Sequence, residues 1–138
     1  MTVLLDAFAV IAYLRDEPAA SEVEALLRTH DVELTAVNAA EVVDRLACHG
    51  DLDPMDLVGE LAVLGVTVRP VDESVGLLAG RLRAWHYHRE ERPVSLADCC
   101  AAAAALVGQM PLATADGPLA RLVEVERGEV IRLRESDR

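Results

Sequence analysis

The sequence predicts an α/β protein, a three-layer α/β/α sandwich with a mainly parallel sheet of four to five strands. The first observation behind this prediction is that short aliphatic and β-branched runs alternate along the chain with longer segments of helical periodicity. The second is that successive strands are separated by enough residues for helical crossovers, which parallel strands require. A length of 138 residues predicts a single domain spanning residues 1–138.

The predicted strands are short and rich in Val, Leu and Ile, as expected of strands that helices cover on both faces. The first of them ends at Asp6, and the third begins directly after Gly65. Together the predicted strands span residues 3–5, 32–35, 66–69, 111–114 and 130–133.

The segments between the strands carry helix start and stop signals. Asn38 is the expected N-cap of one helix, with Glu41 in its first turn, and Ser95 is the expected N-cap of another, with Asp98 in its first turn. Glycines and prolines mark several of the other ends. The predicted helices span residues 7–14, a segment opened by Pro18, and residues 38–50, 53–65, 74–88, 95–108 and 118–123. The tail, residues 135–138, is expected to fray.

Composition excludes several classes of function. Acidic residues outnumber basic ones by 24 to 13, which gives a net charge of −11, and every basic residue is Arg. The absence of Lys excludes P-loop and Schiff-base enzymes, which need its amine. The acidic balance argues against bulk binding of nucleic acid through phosphate neutralisation, although a local basic patch remains compatible with it.

The cysteines and the amino terminus predict a protein of the cytoplasm. Cys48, Cys99 and Cys100 are odd in number and lack metal-type spacing, so we expect free thiols in a reducing compartment. The amino terminus has neither a basic region nor a long apolar stretch, and no apolar run is long enough to span a bilayer. No membrane partner is therefore expected.

Four acidic residues are the candidates for chemistry. Asp6 ends the first predicted strand and Asp116 follows the fourth by two residues, so both are expected at the carboxyl edge of the sheet, where open α/β sheets bind ligands. Glu41 and Asp98 begin helices that can reach the same edge. Clustered carboxylates repel one another and are tolerated mainly around a cation. Donor sets made only of oxygen favour Mg²⁺ or Mn²⁺.

Each acid also has a purely structural interpretation. Glu41 and Asp98 can simply complement the positive end of a helix dipole, and Asp116-Gly117 can form a turn. Asp6 is the exception, because a carboxylate directly after a buried strand is itself expected to be partly buried.

The order of four motifs along the chain resembles that of the PIN-domain ribonucleases, in particular the VapC toxins of bacterial toxin–antitoxin pairs. The motifs are an apolar strand ending in Asp6, then residues 38–43 with Glu41, residues 94–98 with Asp98, and residues 112–116 with Asp116. The resemblance covers essentially the whole chain. It implies that these four acids are the catalytic quartet, and it assigns Thr114 as the supporting hydroxyl residue of the site. Ser95, the expected cap beside Asp98, is a further supporting residue.

The same resemblance implies a function. It implies a metal-dependent endoribonuclease in which Asp6 and Asp98 are the main ligands of one Mg²⁺, while Glu41 and Asp116 complete the cluster or hold a second ion. It also implies a homodimer that forms a hetero-oligomer with a VapB-type antitoxin. Ala7 departs from the family, which usually has Thr or Ser there to support the metal site.

One basic, aromatic segment is a candidate RNA contact. Arginines can bind phosphates there while aromatic rings stack on unpaired bases, although the same residues also suit an ordinary solvated helix end. The candidate residues are Arg81, Arg83, Trp85, Tyr87, Arg89 and Arg92.

Two alternatives to the ribonuclease remain at this point. A phosphohydrolase of the haloacid dehalogenase type would use Asp6 as a nucleophile with Thr35 as a helper, but that family normally needs a basic residue, usually Lys. A degenerate PIN domain would bind a partner without catalysis, and Ala7 favours it.

Overall fold

Five parallel strands form the centre of the protein, in the order β3-β2-β1-β4-β5. The computed structural model describes residues 1–50 and 53–135. The strands are β1 (Thr2–Leu5), β2 (Asp31–Thr35), β3 (Val66–Arg69), β4 (Leu112–Thr114) and β5 (Val130–Arg132). The predicted α/β class with a five-stranded parallel sheet is therefore confirmed.

Seven helices are present in the described part of the chain and connect these strands. They are α1 (Ala7–Leu14), α2 (Ala20–Thr29), α3 (Ala36–Cys48), α4 (Pro54–Val63), α5 (Glu73–His86), α6 (Leu96–Gly108) and α7 (Gly117–Val125). Within the described ranges, none of them is long and apolar enough to cross a membrane.

Aliphatic side chains of alternating strand positions enter two separate cores. Leu5 and Leu34 pack on one face of the sheet with residues of the helices α1 to α4, and Leu4 and Leu112 pack on the other face with residues of α5, α6 and α7. Helices on both faces explain why the strands are apolar on both sides. The arrangement has the three predicted layers.

The alanines of α6 allow close helix packing near the carboxyl edge of the sheet. Residues 101–105 are all Ala and all buried, and α6 contacts both α5 and α3. Side chains this small let neighbouring helices approach closely. The first turns of α6 and α3 are thereby brought together, and these helices carry Asp98 and Glu41.

Several predicted element ends were wrong. Asn38 is not an N-cap, because Thr35 caps α3 three residues earlier through its hydroxyl, and Glu41 consequently lies in the second turn. The helix α5 is capped by Asp72, whose carboxylate accepts the backbone N–H of Val75, and it ends at His86 rather than His88.

Smaller corrections concern the ends of three other elements. α2 begins at Ala20, after the Pro18 that was expected to open it, and β5 ends at Arg132. β4 begins at Leu112, since the backbone of Pro111 has no N–H to donate to a sheet. Of the tail expected to fray, residues 136–138 lie outside the described residues.

Candidate active site

The order of the strands creates a switch point between β1 and β4. The chain proceeds from β1 outward to β2 and β3, then returns to the other side of β1 to form β4 and β5. Ligand sites of open parallel sheets lie at such a point, outside the carboxyl ends of the strands. Asp6 directly follows β1, and Asp116 follows β4 by two residues. Both acids therefore lie where the sequence predicted them.

Asp6 is held rigidly at this point. It caps α1, with Oδ1 accepting the backbone N–H of Ala9 at 2.8 Å. Oδ2 accepts the hydroxyl of Thr114 at 2.5 Å, and the same hydroxyl oxygen accepts the backbone N–H of Asp116 at 3.0 Å. Thr114 therefore links Asp6, which follows β1, to the backbone of Asp116, which follows β4; its supporting role in catalysis stays a prediction.

Asp98 lies in the first turn of α6 and is fixed by a capping box with Ser95. The backbone N–H of Ser95 donates to Oδ2 of Asp98 at 2.9 Å, and the Ser95 hydroxyl oxygen accepts the backbone N–H of Asp98 at 3.0 Å. Ser95 itself is exposed, whereas Asp98 is buried. The predicted cap at Ser95 is confirmed, and it holds one carboxylate oxygen of Asp98 in a defined position.

Burial and mutual repulsion raise the pKa values of two of these acids. Burial is the main cause that raises the pKa of Asp6 to about 7, and the negative charges of Asp98 and Asp116 add to the rise. The pKa of Asp98 is raised as well, first by burial and then by the charges of Asp116 and Glu41. Asp6, Asp98 and Asp116 therefore repel one another, and Glu41 repels Asp98; we call these four acids the carboxylate cluster.

Asn38 is the residue of this site whose role the sequence did not reveal. It is buried at the third position of α3, where Oδ1 accepts the Thr35 hydroxyl at 2.7 Å and Nδ2 donates to Oε1 of Glu41 at 2.9 Å. Nδ2 also reaches the carbonyl oxygen of Ala97, next to Asp98, at 3.3 Å. One amide therefore orients Glu41 and ties α3 to α6. The low number of amides in the sequence, Asn38 and Gln109, was the signal available.

The donor set fits a hard divalent cation held by few protein ligands. Over residues 1–50 and 53–135, no three His, Cys, Asp or Glu side chains are grouped closely enough to form a metal cage. Mg²⁺ rarely uses such a cage, because it retains several waters and binds through one or two carboxylates together with substrate phosphate. Buried Asp6 and Asp98, which repel each other, match this requirement. The four-carboxylate metal site itself stays a prediction.

The candidate RNA-contact residues lie at the end of α5 and in the loop after it. Trp85, Tyr87 and Arg89 are exposed, and Arg81 stacks on Trp85 at 5.2 Å from the ring centroid. Two of the six residues also have structural roles. Nε of Arg83 donates to the carbonyl of Val94 at 3.1 Å, and Nη1 of Arg92 lies 3.2 Å from Nδ1 of the buried His86. Contact of this segment with RNA stays a prediction.

Two of the three cysteines directly follow Asp98 in α6, and the third is the last residue of α3. Cys99 and Cys100 are free and buried, and Cys48 is free and exposed. Burial, together with the charge of Asp98, raises the pKa of Cys99 to about 12, which keeps its thiol protonated. The structure agrees with the prediction that all three cysteines are free thiols.

Comparison with known proteins identifies the family. Residues 3–125 match the PIN domain family, and the chain therefore belongs to it. This membership removes the haloacid dehalogenase-type alternative. No protein with a curated description matches the sequence.

Solved structures with the same fold come from several bacteria. FitAcB from Neisseria gonorrhoeae is 22% identical with a TM-score of 0.68, and the alignment covers 94% of this chain and 96% of that one. VapBC2 from Rickettsia felis, bound to a DNA fragment from its promoter, is 12% identical with a TM-score of 0.71 and coverages of 96% and 99%. A toxin–antitoxin complex from Klebsiella pneumoniae is 15% identical with a TM-score of 0.62 and coverages of 83% and 86%.

Proposed function

We propose that the protein is a metal-dependent endoribonuclease of the VapC type, the toxin of a toxin–antitoxin pair. The observation that carries this proposal is the carboxylate cluster of Asp6, Glu41, Asp98 and Asp116 at the switch point of a PIN fold. Buried carboxylates that repel one another are costly in a folded protein unless a cation binds between them. RNA brings phosphates that such a cation can also bind.

The residues of the site have separate proposed roles, as metal ligands or as groups that orient those ligands. Asp6 and Asp98 are the proposed ligands of Mg²⁺ or Mn²⁺, and Thr114 and Ser95 hold their carboxylates in place. Asn38 orients Glu41 toward the same cluster. The ion, when bound, supplies a Lewis acid that lowers the pKa of water and neutralises charge on the phosphate. Without it, the acidic site repels RNA, so the cation also permits substrate to enter.

The proposed partner is a small antitoxin. Because the carboxylate cluster is negatively charged, we expect the partner to place a basic residue there, preferably an Arg that can pair with two carboxylate oxygens. An open, largely apolar groove of about 630 Å³ suits the apolar face of a partner helix; its lining includes Leu14, Met55, Val63 and Leu64 together with the acids Asp56 and Glu60. Met55 and Val63 are 80% and 88% exposed, so this groove lacks a cover within the described chain. A homodimer is proposed on family grounds alone.

Expression in bacteria tests the proposal. The wild-type protein is induced without its neighbouring gene product, and RNA 5′ ends are sequenced after growth stops. We expect new ends at a defined set of sites, and loss of both these ends and the growth arrest in Asp98→Asn. Co-expression of the neighbouring gene product should restore growth. Growth arrest without new RNA ends, or equal arrest with Asp98→Asn, would instead favour a degenerate PIN domain that acts by binding a partner.

A further inference from the structure

The peptide unit between Val94 and Ser95 is hydrogen-bonded at both of its polar atoms. Its carbonyl oxygen, which belongs to Val94, accepts the Nε–H of Arg83 at 3.1 Å. Its N–H, which belongs to Ser95, donates to Oδ2 of Asp98 at 2.9 Å. A peptide unit is planar and rigid. One rigid group therefore connects the guanidinium of Arg83 to a carboxylate of the proposed metal site.

Both partners in the first of these hydrogen bonds are ordered by other contacts. Arg83 lies in the last turn of α5, and its guanidinium stacks on the Tyr87 ring at 4.4 Å from the centroid. Arg83 is partly buried, and Val94 is buried in the core that residues of α5 and α6 share. The hydrogen bond thus joins two groups whose positions are already restricted.

Two effects of the contact between Arg83 and Val94 reach Asp98. First, the loop between α5 and α6 ends at the N-cap Ser95, and the contact fixes this loop directly before the cap. Second, a positive charge at the carbonyl oxygen polarises the peptide unit, because hydrogen bonds in a chain strengthen one another. Both effects favour one position of the Asp98 carboxylate, and groups that orient metal ligands in this way strengthen metal binding.

We propose that Arg83 is a positioning residue of the active site, which acts through the peptide unit between Val94 and Ser95 to hold Asp98 where the ion binds. This inference rests on the proposed metal site. It differs from the predicted contact of Arg83 with RNA, because an RNA contact would change binding of the substrate and leave binding of the ion unchanged.

Arg81 on the same helix provides the matched control. It precedes Arg83 by two residues, is exposed, and also stacks on a ring four residues later, that of Trp85, at 5.2 Å from the centroid. Replacing either arginine by Met removes one positive charge, a change that by itself favours a bound cation. Weaker binding of the ion in the Arg83 variant is therefore evidence of positioning and not of charge.

Calorimetry of Mg²⁺ binding in the absence of RNA tests the inference. Arg83→Met should weaken binding about tenfold, the lower end of the range for groups that orient metal ligands, because the lost charge acts in the opposite direction. Arg83→Lys, which keeps a charged donor, should recover part of the affinity. Arg81→Met should bind Mg²⁺ at least as tightly as wild type. Thermal unfolding in chelator verifies that each variant is folded.

A double-mutant cycle tests the route through the peptide unit. Ser95→Pro removes the N–H, and the φ of −79° at this position suits proline. In this background Arg83→Met should have no further effect on Mg²⁺ binding, because the connection to Asp98 is already broken. Ser95→Ala removes the hydroxyl but keeps the N–H, so in that background Arg83→Met should still weaken binding about tenfold.

The outcomes separate this inference from the proposed function. If wild type binds Mg²⁺ and cleaves RNA while Arg83→Met binds the ion like wild type, the inference is overturned and the proposed function stands. If Arg83→Met weakens ion binding but wild type does not cleave RNA, the inference stands and the ribonuclease proposal fails. An equal effect of Arg83→Met in the Ser95→Pro and Ser95→Ala backgrounds would overturn the inference, since Arg83 would then act by another route. Wild-type protein that binds no Mg²⁺ would overturn both proposals.

Discussion

Replacing Asp6 by Asn should stabilise the metal-free protein, and increasingly so as the pH rises. Burial raises the pKa of this carboxyl from 3.8 to about 7 in the folded state. Between these two values the folded state binds more protons than the unfolded state, so the free energy of unfolding falls as the pH rises through this window. A rise of about three pKa units corresponds to about 4 kcal/mol. Asn avoids this loss because it does not titrate.

The substitution also preserves the local hydrogen bonds. Asn is a good N-cap, its Oδ1 can accept the N–H of Ala9, and its Nδ2 can donate to the Thr114 hydroxyl oxygen. The Thr114 hydroxyl must then rotate toward another acceptor, which costs part of the gain. The stability gained by removing the titrating carboxyl should exceed the cost of reorienting the Thr114 hydroxyl, because Asp6 is almost fully buried.

Urea unfolding in the presence of chelator measures the effect. The advantage of Asp6→Asn over wild type in free energy of unfolding should grow by about 4 kcal/mol between pH 4 and pH 8. Asp72→Asn is the matched control. Asp72 caps α5, and hydrogen bonds from the backbone of Val75 and the side chain of Ser74 lower its pKa below the usual 3.8. The stability that this carboxylate contributes is present above the unfolded-state pKa and is lost as the pH falls through the lower folded-state pKa, so the difference between Asp72→Asn and wild type should stay nearly constant between pH 4 and pH 8. A pH-independent difference between Asp6→Asn and wild type would refute the reasoning.

Further predictions concern the ion, the amide and the packing. Mg²⁺ should raise the melting temperature of wild type but not of an Asp6→Asn/Asp98→Asn double variant, and calorimetry that detects no binding to wild type would argue against the site. Asn38→Ala should lower the free energy of unfolding by about 2 kcal/mol and RNA cleavage by about 10–100-fold, whereas unchanged cleavage would leave Asn38 a packing role only. Gly128→Ala places a Cβ 2.7 Å from the side chain of Val123 and should lower the free energy of unfolding, measured with urea, by about 1–3 kcal/mol. A smaller loss would mean that the Val123 side chain moves to relieve the contact.

The sequence predicted best those features that depend only on residues adjacent in the chain. The strand ending at Asp6 and the N-cap at Ser95 depend on neighbouring residues, and both were predicted correctly. The N-cap of α3 was misassigned because Asn38 and Thr35 are both good caps. Thr35 caps the helix, and the Asn38 amide instead binds Glu41 and the carbonyl oxygen of Ala97. The contact between Asn38 and Ala97 joins residues 59 positions apart, so no local sequence pattern predicts it.

In the candidate site too, some features were predictable from the sequence, whereas others depend on tertiary contacts. The order of the acids predicted that they would meet, since the carboxyl ends of parallel strands share one edge. The buried hydrogen bond between Thr114 and Asp6 joins residues 108 positions apart and was not predicted; family resemblance indicated only that Thr114 is a supporting hydroxyl residue.

Cleavage of single-stranded RNA by the purified protein, measured as a function of Mg²⁺ concentration, tests the central claim most directly. We expect cleavage that requires Mg²⁺, disappears in chelator, and falls by more than about 100-fold in Asp98→Asn, beyond the loss that removal of an outer partner causes. Asp72→Asn, a capping variant without a role in the site, should cleave like wild type. Full cleavage in chelator, or equal cleavage by Asp98→Asn, would contradict the assignment of these carboxylates as a metal-dependent ribonuclease site.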